Sequence, residues 1–189
     1  SDFQVAQVIG IVGVIANAGD ATIDGFELEV TSNVGDDWTL SAGLTLLDSA
    51  YGEFLNTDAL QGDAGVLQNK GNPLNKAPEQ SLNVGIVRNM TFDSGARLAL
   101  SLNTAYRSRT YFREFGQIDD SQAAYTVVNF NANFETADEL FTTRFFVNNA
   151  TNEAYITDLS TGDSQYGRHA AWGMPRHIGI ELTRHFGTR

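Results

Sequence analysis

Apolar and polar residues alternate with a period of two in one long segment of this chain after another. In residues 127–135, Val128, Phe130, Ala132 and Phe134 are separated by Asn129, Asn131 and Asn133. Successive side chains of a strand point to opposite faces, so such a segment is a strand with one greasy face and one wet face. The pattern recurs. Phe26, Leu28 and Val30 alternate with Glu27 and Glu29; Trp38, Leu40, Ala42, Leu44 and Leu46 with Thr39, Ser41, Gly43 and Thr45. Leu82, Val84 and Ile86 oppose Ser81, Asn83 and Gly85, and Leu98, Leu100, Leu102, Thr104 and Tyr106 oppose Arg97, Ser101, Asn103, Arg107 and Arg109. Phe141, Phe145 and Val147 oppose Thr142, Arg144 and Asn148; Ile178, Ile180 and Leu182 oppose His177, Glu181, Thr183 and His185. With a first strand over 3–16, this predicts an all-β chain of about eight antiparallel strands, and helical periodicity is hard to find anywhere.

The connections narrow the architecture. From the second strand onward they run short, long, short, long, short, long: 33–37, 52–76, 89–96, 113–122, 136–140 and 157–172. All short turns therefore fall at one end of the sheet and all long loops at the other. Membrane β-barrels have this asymmetry, whereas the crossovers of a Greek-key sandwich mix the two ends. Strands of 10–14 residues also exceed the mode of soluble proteins, about 5–6, and suit a tilted membrane strand of about 9–11. Trp38, Tyr51, Tyr106, Tyr111, Tyr125, Phe141, Tyr155 and Phe186 fall near strand ends, where the aromatic girdles of a membrane barrel sit.

Composition removes several classes. The 189 residues carry a net charge of −11 and no basic stripe, which argues against nucleic acid as a partner. With no cysteine there is neither a disulfide scaffold nor a thiolate metal site. The most apolar run, residues 8–16, is too short to span a membrane as a helix and holds two glycines. His177 and His185 share a strand face but lie about 26 Å apart along it, too far to ligate one ion. Glu53, Asp58, Asp63, Asp158 and Asp163 are oxygen donors of the kind calcium takes, but without EF-hand spacing they read as solvated loop charges. No phosphate loop, nucleophile elbow or zinc-protease motif is present, so no catalytic site, metal or cofactor is expected.

Six segments, in order, resemble the β-barrel of TonB-dependent outer-membrane receptors. "NAGDATIDGFELEV" (17–30) resembles the family's strand entry, and "DDWTLSAGLTLLDSAYGEF" (36–54) the strand that follows. "GNPLNKAPEQSLNVGI" (71–86) is similar to the segment that re-enters the barrel, and "AYRSRTYF" (105–112) to a later strand. "FFVNNATNEAYITD" (145–158) matches the family's Asn-rich element at Asn149, Asn152 and Tyr155, and "MPRHIGIELTRHF" (174–186) its closing strand. Two departures stand out: "GTR" follows Phe186, and Arg184 occupies an outward position that is usually apolar or aromatic. The resemblance implies the C-terminal part of a larger barrel of about twenty-two strands, one that holds a plug domain in its lumen. It also implies an outer-membrane receptor that contacts lipid and takes up a scarce nutrient (a ferric siderophore, vitamin or oligosaccharide) with energy from TonB. The plug, the TonB box and the earlier strands are not among these residues.

Within that frame the long loops are the expected ligand contacts, since loops on a rigid scaffold usually carry recognition. Tyr111, Phe112, Arg113, Tyr166, Arg168 and Trp172 are the candidates there. The polar-face arginines Arg97, Arg107, Arg109 and Arg144 are all expected to pair with Glu27, Glu29 and other acids of neighbouring strands and plug, with contact to an anionic ligand in a wet lumen as the other reading; Arg107 and Arg109 are the candidate lumen contacts. Two other readings stay open at this point: a complete eight-stranded barrel of the OmpA type serving as anchor or adhesin, and a soluble carbohydrate-binding β-sandwich.

Overall fold

Alternation of this kind organises a single antiparallel sheet. The computed structural model describes residues 4–9, 12–17, 20–58, 60, 66–161 and 167–186, with backbone alone for 4–9, 12–17 and 161. The main sheet has seven strands: β3 (Ala21–Val34), β4 (Trp38–Tyr51), β7 (Gln80–Thr91), β8 (Arg97–Arg107), β11 (Tyr125–Glu135), β12 (Phe141–Asn148) and β15 (His177–Arg184). Their spatial order, β15-β12-β11-β8-β7-β4-β3, is their order in the chain, an up-and-down meander. Smaller hairpins interrupt it: β5 (Leu55–Thr57) with β6 (Val66–Gln68), β9 (Thr110–Tyr111) with β10 (Ser121–Gln122), and β13 (Ile156–Thr161) with β14 (Arg168–Trp172).

Two sequence expectations are corrected. The first strand, expected over 3–16, is instead a separate hairpin of β1 (Gln4–Ile9) and β2 (Val12–Asn17), which among the described residues pair with each other and not with the main sheet. The two strands pair antiparallel, with Ile9 opposite Val12. Gly10 and Gly13 in that stretch also weaken it as one continuous strand. The second correction concerns 157–172, which holds a strand pair rather than a structureless loop.

Short turns close the other end. Gly35 (φ +61°) and Gly95 (φ +86°) supply the left-handed conformation that the β3–β4 and β7–β8 turns require. The β11–β12 turn places Glu139 at φ +56° and is tied by Asp138, whose carboxylate accepts bonds from the Thr136 hydroxyl (2.5 Å) and the Leu140 amide (3.1 Å). Those bonds, that of Thr136 first, hold the Asp138 carboxyl below the usual carboxylate range.

Register makes the two faces chemically opposite. Phe26 pairs with Leu46, Leu28 with Leu44, and Leu44 in turn with Leu82. Ile86 meets Leu102, Leu102 meets Phe130, Phe130 meets Val147 and Val147 meets Ile178, so one apolar face runs unbroken across the sheet. Phe130 and Phe145 pack on it as a tilted pair, centroids 6.4 Å apart. The opposite face follows Glu29, Gly43, Asn83 and Ala105, and Gly85, Asn103 and Asn129. Phe146 is one aromatic exception on it. Its ring lies over Gly179, with the Arg144 guanidinium 5.2 Å from its centroid and His177 edge-on.

Neither face is covered. Strands of the main sheet make their principal contacts with their hydrogen-bonded neighbours, so among the described residues no second layer packs on them as in a sandwich. Phe26, Leu28, Leu102 and Phe134 are all exposed, and Ile180 is 74% exposed. Each such side chain left in water forgoes roughly 1.5–3 kcal/mol of burial. An apolar face of this extent backed by a polar one is the pattern of a transmembrane barrel wall, with lipid outside and water or protein inside. Between its two edge strands its backbone groups are paired within the sheet, as a hydrocarbon environment demands. Among the described residues β3 and β15 are free edges and do not pair with each other, so the sheet is open rather than a closed eight-stranded barrel.

Adjacent residues of β8 test the assignment of faces. Leu102→Arg should cost about 2–4 kcal/mol of folding stability in lipid if it lies near the midplane, and Asn103→Arg close to nothing. Heat-modifiable gel migration and urea unfolding in vesicles would measure both in the full-length protein; equal tolerance would contradict the wall.

Candidate functional site

What burial the chain achieves is concentrated where the long loops meet. Tyr51, Phe54 and Leu74 form a small apolar cluster, flanked by Ala21 and Ala77, beyond the end of β4. Backbone bonds fasten the loop that carries it: Tyr51 N–H to the Asn72 carbonyl (3.0 Å), Gly71 N–H to the Tyr51 carbonyl (2.8 Å) and Asn69 N–H to the Phe54 carbonyl (2.8 Å). Tyr51, expected in an aromatic girdle, is thus a core residue of this cap. Tyr125, on the polar-face parity of β11, stacks on Tyr155 with centroids 4.5 Å apart. Trp38, Phe141 and Tyr106 do lie on the apolar face, Trp38 and Phe141 at the short-turn end.

A four-residue ion network binds the three long loops together. Arg113 is 8% exposed, and its guanidinium donates to Asp58, 55 residues away in the first loop, and to Asp120 Oδ2 (2.8 Å). Asp120 is fully buried, and its Oδ1 accepts from Arg168 Nε on β14 (2.6 Å). Two carboxylates and two guanidinium groups thereby balance. Burial alone pulls the Arg113 pKa down, but hydrogen bonds and charge from Asp58 and Asp120 more than reverse this and hold it above its ordinary value. Phe115 lies under the same guanidinium, centroid 4.6 Å away. The first and second loops are also joined by Asn72, which donates to the Glu114 carbonyl (2.8 Å), by Asn56, which donates to the Glu114 carboxylate, and by Lys76 N–H to the Tyr111 carbonyl (2.8 Å).

Asn149 is a second hub. It is 3% exposed and adopts φ +50°, a left-handed conformation Asn tolerates better than most residues. Its amide donates to the carbonyls of Glu153 (2.8 Å) and Met174 (3.0 Å), its Oδ1 accepts from Glu153 N–H (2.8 Å), and its own N–H reaches Asn129 Oδ1 (2.9 Å). It therefore ties the loop after β12 to the start of β15.

The candidate ligand contacts divide by position. Phe112 and Arg113 are buried in the cap. Tyr111 is half-buried, Arg168 has a partly exposed side chain beside Asp120, and Trp172 is 66% exposed. Arg107 donates to Asn83 Oδ1 (3.3 Å) and the Tyr106 carbonyl (3.0 Å), and Arg109 to the Ser121 hydroxyl (2.7 Å). Tyr166 lies outside the described residues. Arg97 pairs with Glu135 and Glu139, both at 3.0 Å, and Arg144 donates to Asn131.

Of the acidic loop residues read as solvated charges, Glu53 and Asp158 are exposed as expected, whereas Asp58 is buried. Asp58 is buried against Arg113, Glu53 pairs with Lys70 (2.5 Å) and Asp158 with Lys76 (2.9 Å); Asp63 and Asp163 lie outside the described residues. Lys76 holds the Asp158 carboxyl below its ordinary range. Sequence reasoning missed Asp120, and nothing local marks it: its role comes from two arginines on other segments.

An open up-and-down sheet with one apolar face, one polar face and a loop cap at a single end defines a transmembrane β-barrel wall. The sequence model described as "TonB dependent receptor-like, beta-barrel" matches residues 1–150, and the chain belongs to that family. Among solved structures it is similar to the ferric yersiniabactin uptake receptor FyuA from Yersinia pestis, at 20% identity and TM-score 0.72, over 89% of this chain and 24% of that one. The siderophore receptor PiuA from Acinetobacter baumannii matches 96% of this chain over 24% of its own, at 18% identity and TM-score 0.71. BauA, the ferric preacinetobactin receptor of the same organism, gives 19% identity and TM-score 0.66 over 96% of this chain and 25% of its own. The chain thus spans about a quarter of the length of these receptors. No curated protein matches it in sequence.

Removing one partner of a buried ion network leaves an uncompensated charge, typically at a cost of about 3–5 kcal/mol. Arg113→Met should therefore loosen the long loops, with faster hydrogen exchange and proteolysis in 52–76 and 113–122 while β8 and β11 stay protected. Asn149→Ala removes three side-chain bonds from a buried site, each worth roughly 0.5–1.5 kcal/mol. It should speed exchange between β12 and β15 and leave the Arg113 network intact.

Proposed function

We propose that this chain forms part of the barrel wall and extracellular cap of an outer-membrane active transporter. The receptor would bind a scarce nutrient at the long-loop end and import it with energy from TonB. The observation that carries the reading is the uncovered apolar face of seven strands, which lipid would satisfy, backed by a polar face of Asn, Ser, Thr and Gly suited to a wet lumen and a plug. Similarity in fold to receptors for ferric siderophores supports a metal chelate as the cargo.

In this reading the ion network sets the shape of the cap and its rim meets the ligand. Trp172, Arg168 and Tyr166 of the third loop and Tyr111 of the second are the proposed contacts, with Arg107 and Arg109 lower on the lumen side. Phe112 and Arg113 are buried, and in this reading they support the cap rather than meet the ligand. Aromatic and guanidinium groups suit a planar, anionic chelate.

Uptake by the full-length receptor of radiolabelled iron in a panel of ferric chelates would test this. Surface binding should persist, and import should stop, when the proton gradient is collapsed or TonB is deleted. Import indifferent to both would overturn energised transport. Trp172→Ala should weaken chelate binding by roughly five- to thirtyfold, the loss of about 1–2 kcal/mol expected of a removed aromatic anchor.

A further inference from the structure

The apolar face is not purely apolar, and its charged exceptions are sorted by sign. Asp24 and Asp48 stand opposite each other in register at the long-loop end, beside Glu79, around a hollow lined also by Phe26 and Leu46. Arg88 and Arg184 lie at the short-turn end. Arg88 follows Leu82, Val84 and Ile86 on the same face of β7, and Arg184 follows Ile178, Ile180 and Leu182 on β15.

Each arginine rests on aromatic rings. The Arg88 guanidinium is 5.1 Å from the Trp38 ring centroid; that of Arg184 is 5.7 Å from Phe141 and 4.8 Å from Phe186. Both residues are exposed, and among the described residues neither has an ion-pair or side-chain hydrogen-bond partner. Arg97 and Arg144, on the polar face, do have such partners. Stacking fixes the carbon and ring portions against apolar surface and leaves the N–H groups to point beyond it. Five donors in a planar fork, presented at the rim of a lipid-facing surface, match the oxygens of a phosphate.

We propose that Trp38–Arg88 and Phe141–Arg184–Phe186 are two phospholipid headgroup sites, which bind the phosphate of anionic glycerophospholipids in the leaflet at the short-turn end. The inference rests on the reading of the apolar face as lipid-facing. The acids at the opposite end repel the same headgroups, so the wall prefers anionic phospholipid in one leaflet only. Such a difference in charge between the two rims also opposes vertical slippage of the wall in the bilayer.

The test uses the full-length receptor in phosphatidylcholine nanodiscs with a minor fraction of spin-labelled phosphatidylglycerol, reading the immobilised label for the selectivity of one lipid over the other. Arg88→Gln and Arg184→Gln should each lower selectivity for phosphatidylglycerol, by up to roughly fivefold per site, about the value of one arginine near an anionic surface. The double variant should combine the losses, and Arg144→Gln on the polar face should change nothing. Unchanged selectivity in the double variant, or an equal loss in Arg144→Gln, would overturn the sites while leaving the wall intact. A receptor that fails to insert at all, seen as absence of heat-modifiable migration, would overturn the lipid-facing reading and this proposal with it.

Discussion

Strand register is the constraint on which the rest of this structure depends. A side chain's face is set by parity alone, so a slip of one residue in any of the six pairings of the main sheet would exchange the two faces of every strand beyond it. No pairing slips. Leu102 meets Ile86 on one side and Phe130 on the other, and Asn103 meets Gly85 and Asn129. The outcome is a sheet that cannot be satisfied by one solvent. Its apolar face seeks hydrocarbon, its polar face water or protein, and its backbone is paired between strands so that neither environment need supply partners.

The cap solves a different problem. Long polar loops cannot build a large apolar core, and the one present, Tyr51, Phe54 and Leu74, is small. Order comes instead from charges withdrawn from water together. Asp120 serves two guanidinium groups from different segments, and Arg113 serves two carboxylates. Such networks contribute less to net stability than to uniqueness of arrangement, because any other closure leaves a charge buried without its partner. Three loops are thereby tied to one another in a single geometry.

Much of the sheet was legible in the sequence. Trp38–Tyr51 emerges from alternation and turn residues with the bounds the structure shows, and the strand that opens at Phe141 emerges with its start, though it ends at Asn148 rather than running on to the loop expected from 157. The first segment was not, since Val8 to Ala16 is apolar on both parities and carries no register information. The β13–β14 hairpin was hidden because strands of five and six residues are too short to establish a period. In the cap, individual residues were legible but their partners were not. Arg113 attracts notice as an arginine in a loop; that it meets Asp58 across 55 residues depends on how two loops fold over the sheet. Asn149 stood out only within a motif, and its three side-chain hydrogen bonds explain the motif's Asn.

Because the spatial order of the main strands is also their chain order, each strand can be added beside the one before it without threading past others. Every new strand converts the current edge into an interior position and presents a fresh edge in its place. The topology thus permits growth by addition of neighbouring hairpins, with loop-closure entropy lost in short steps. Until β3 and β15 each find a neighbour, the wall stays sticky at both sides, and the time spent in that state sets the window in which escort by other proteins matters most.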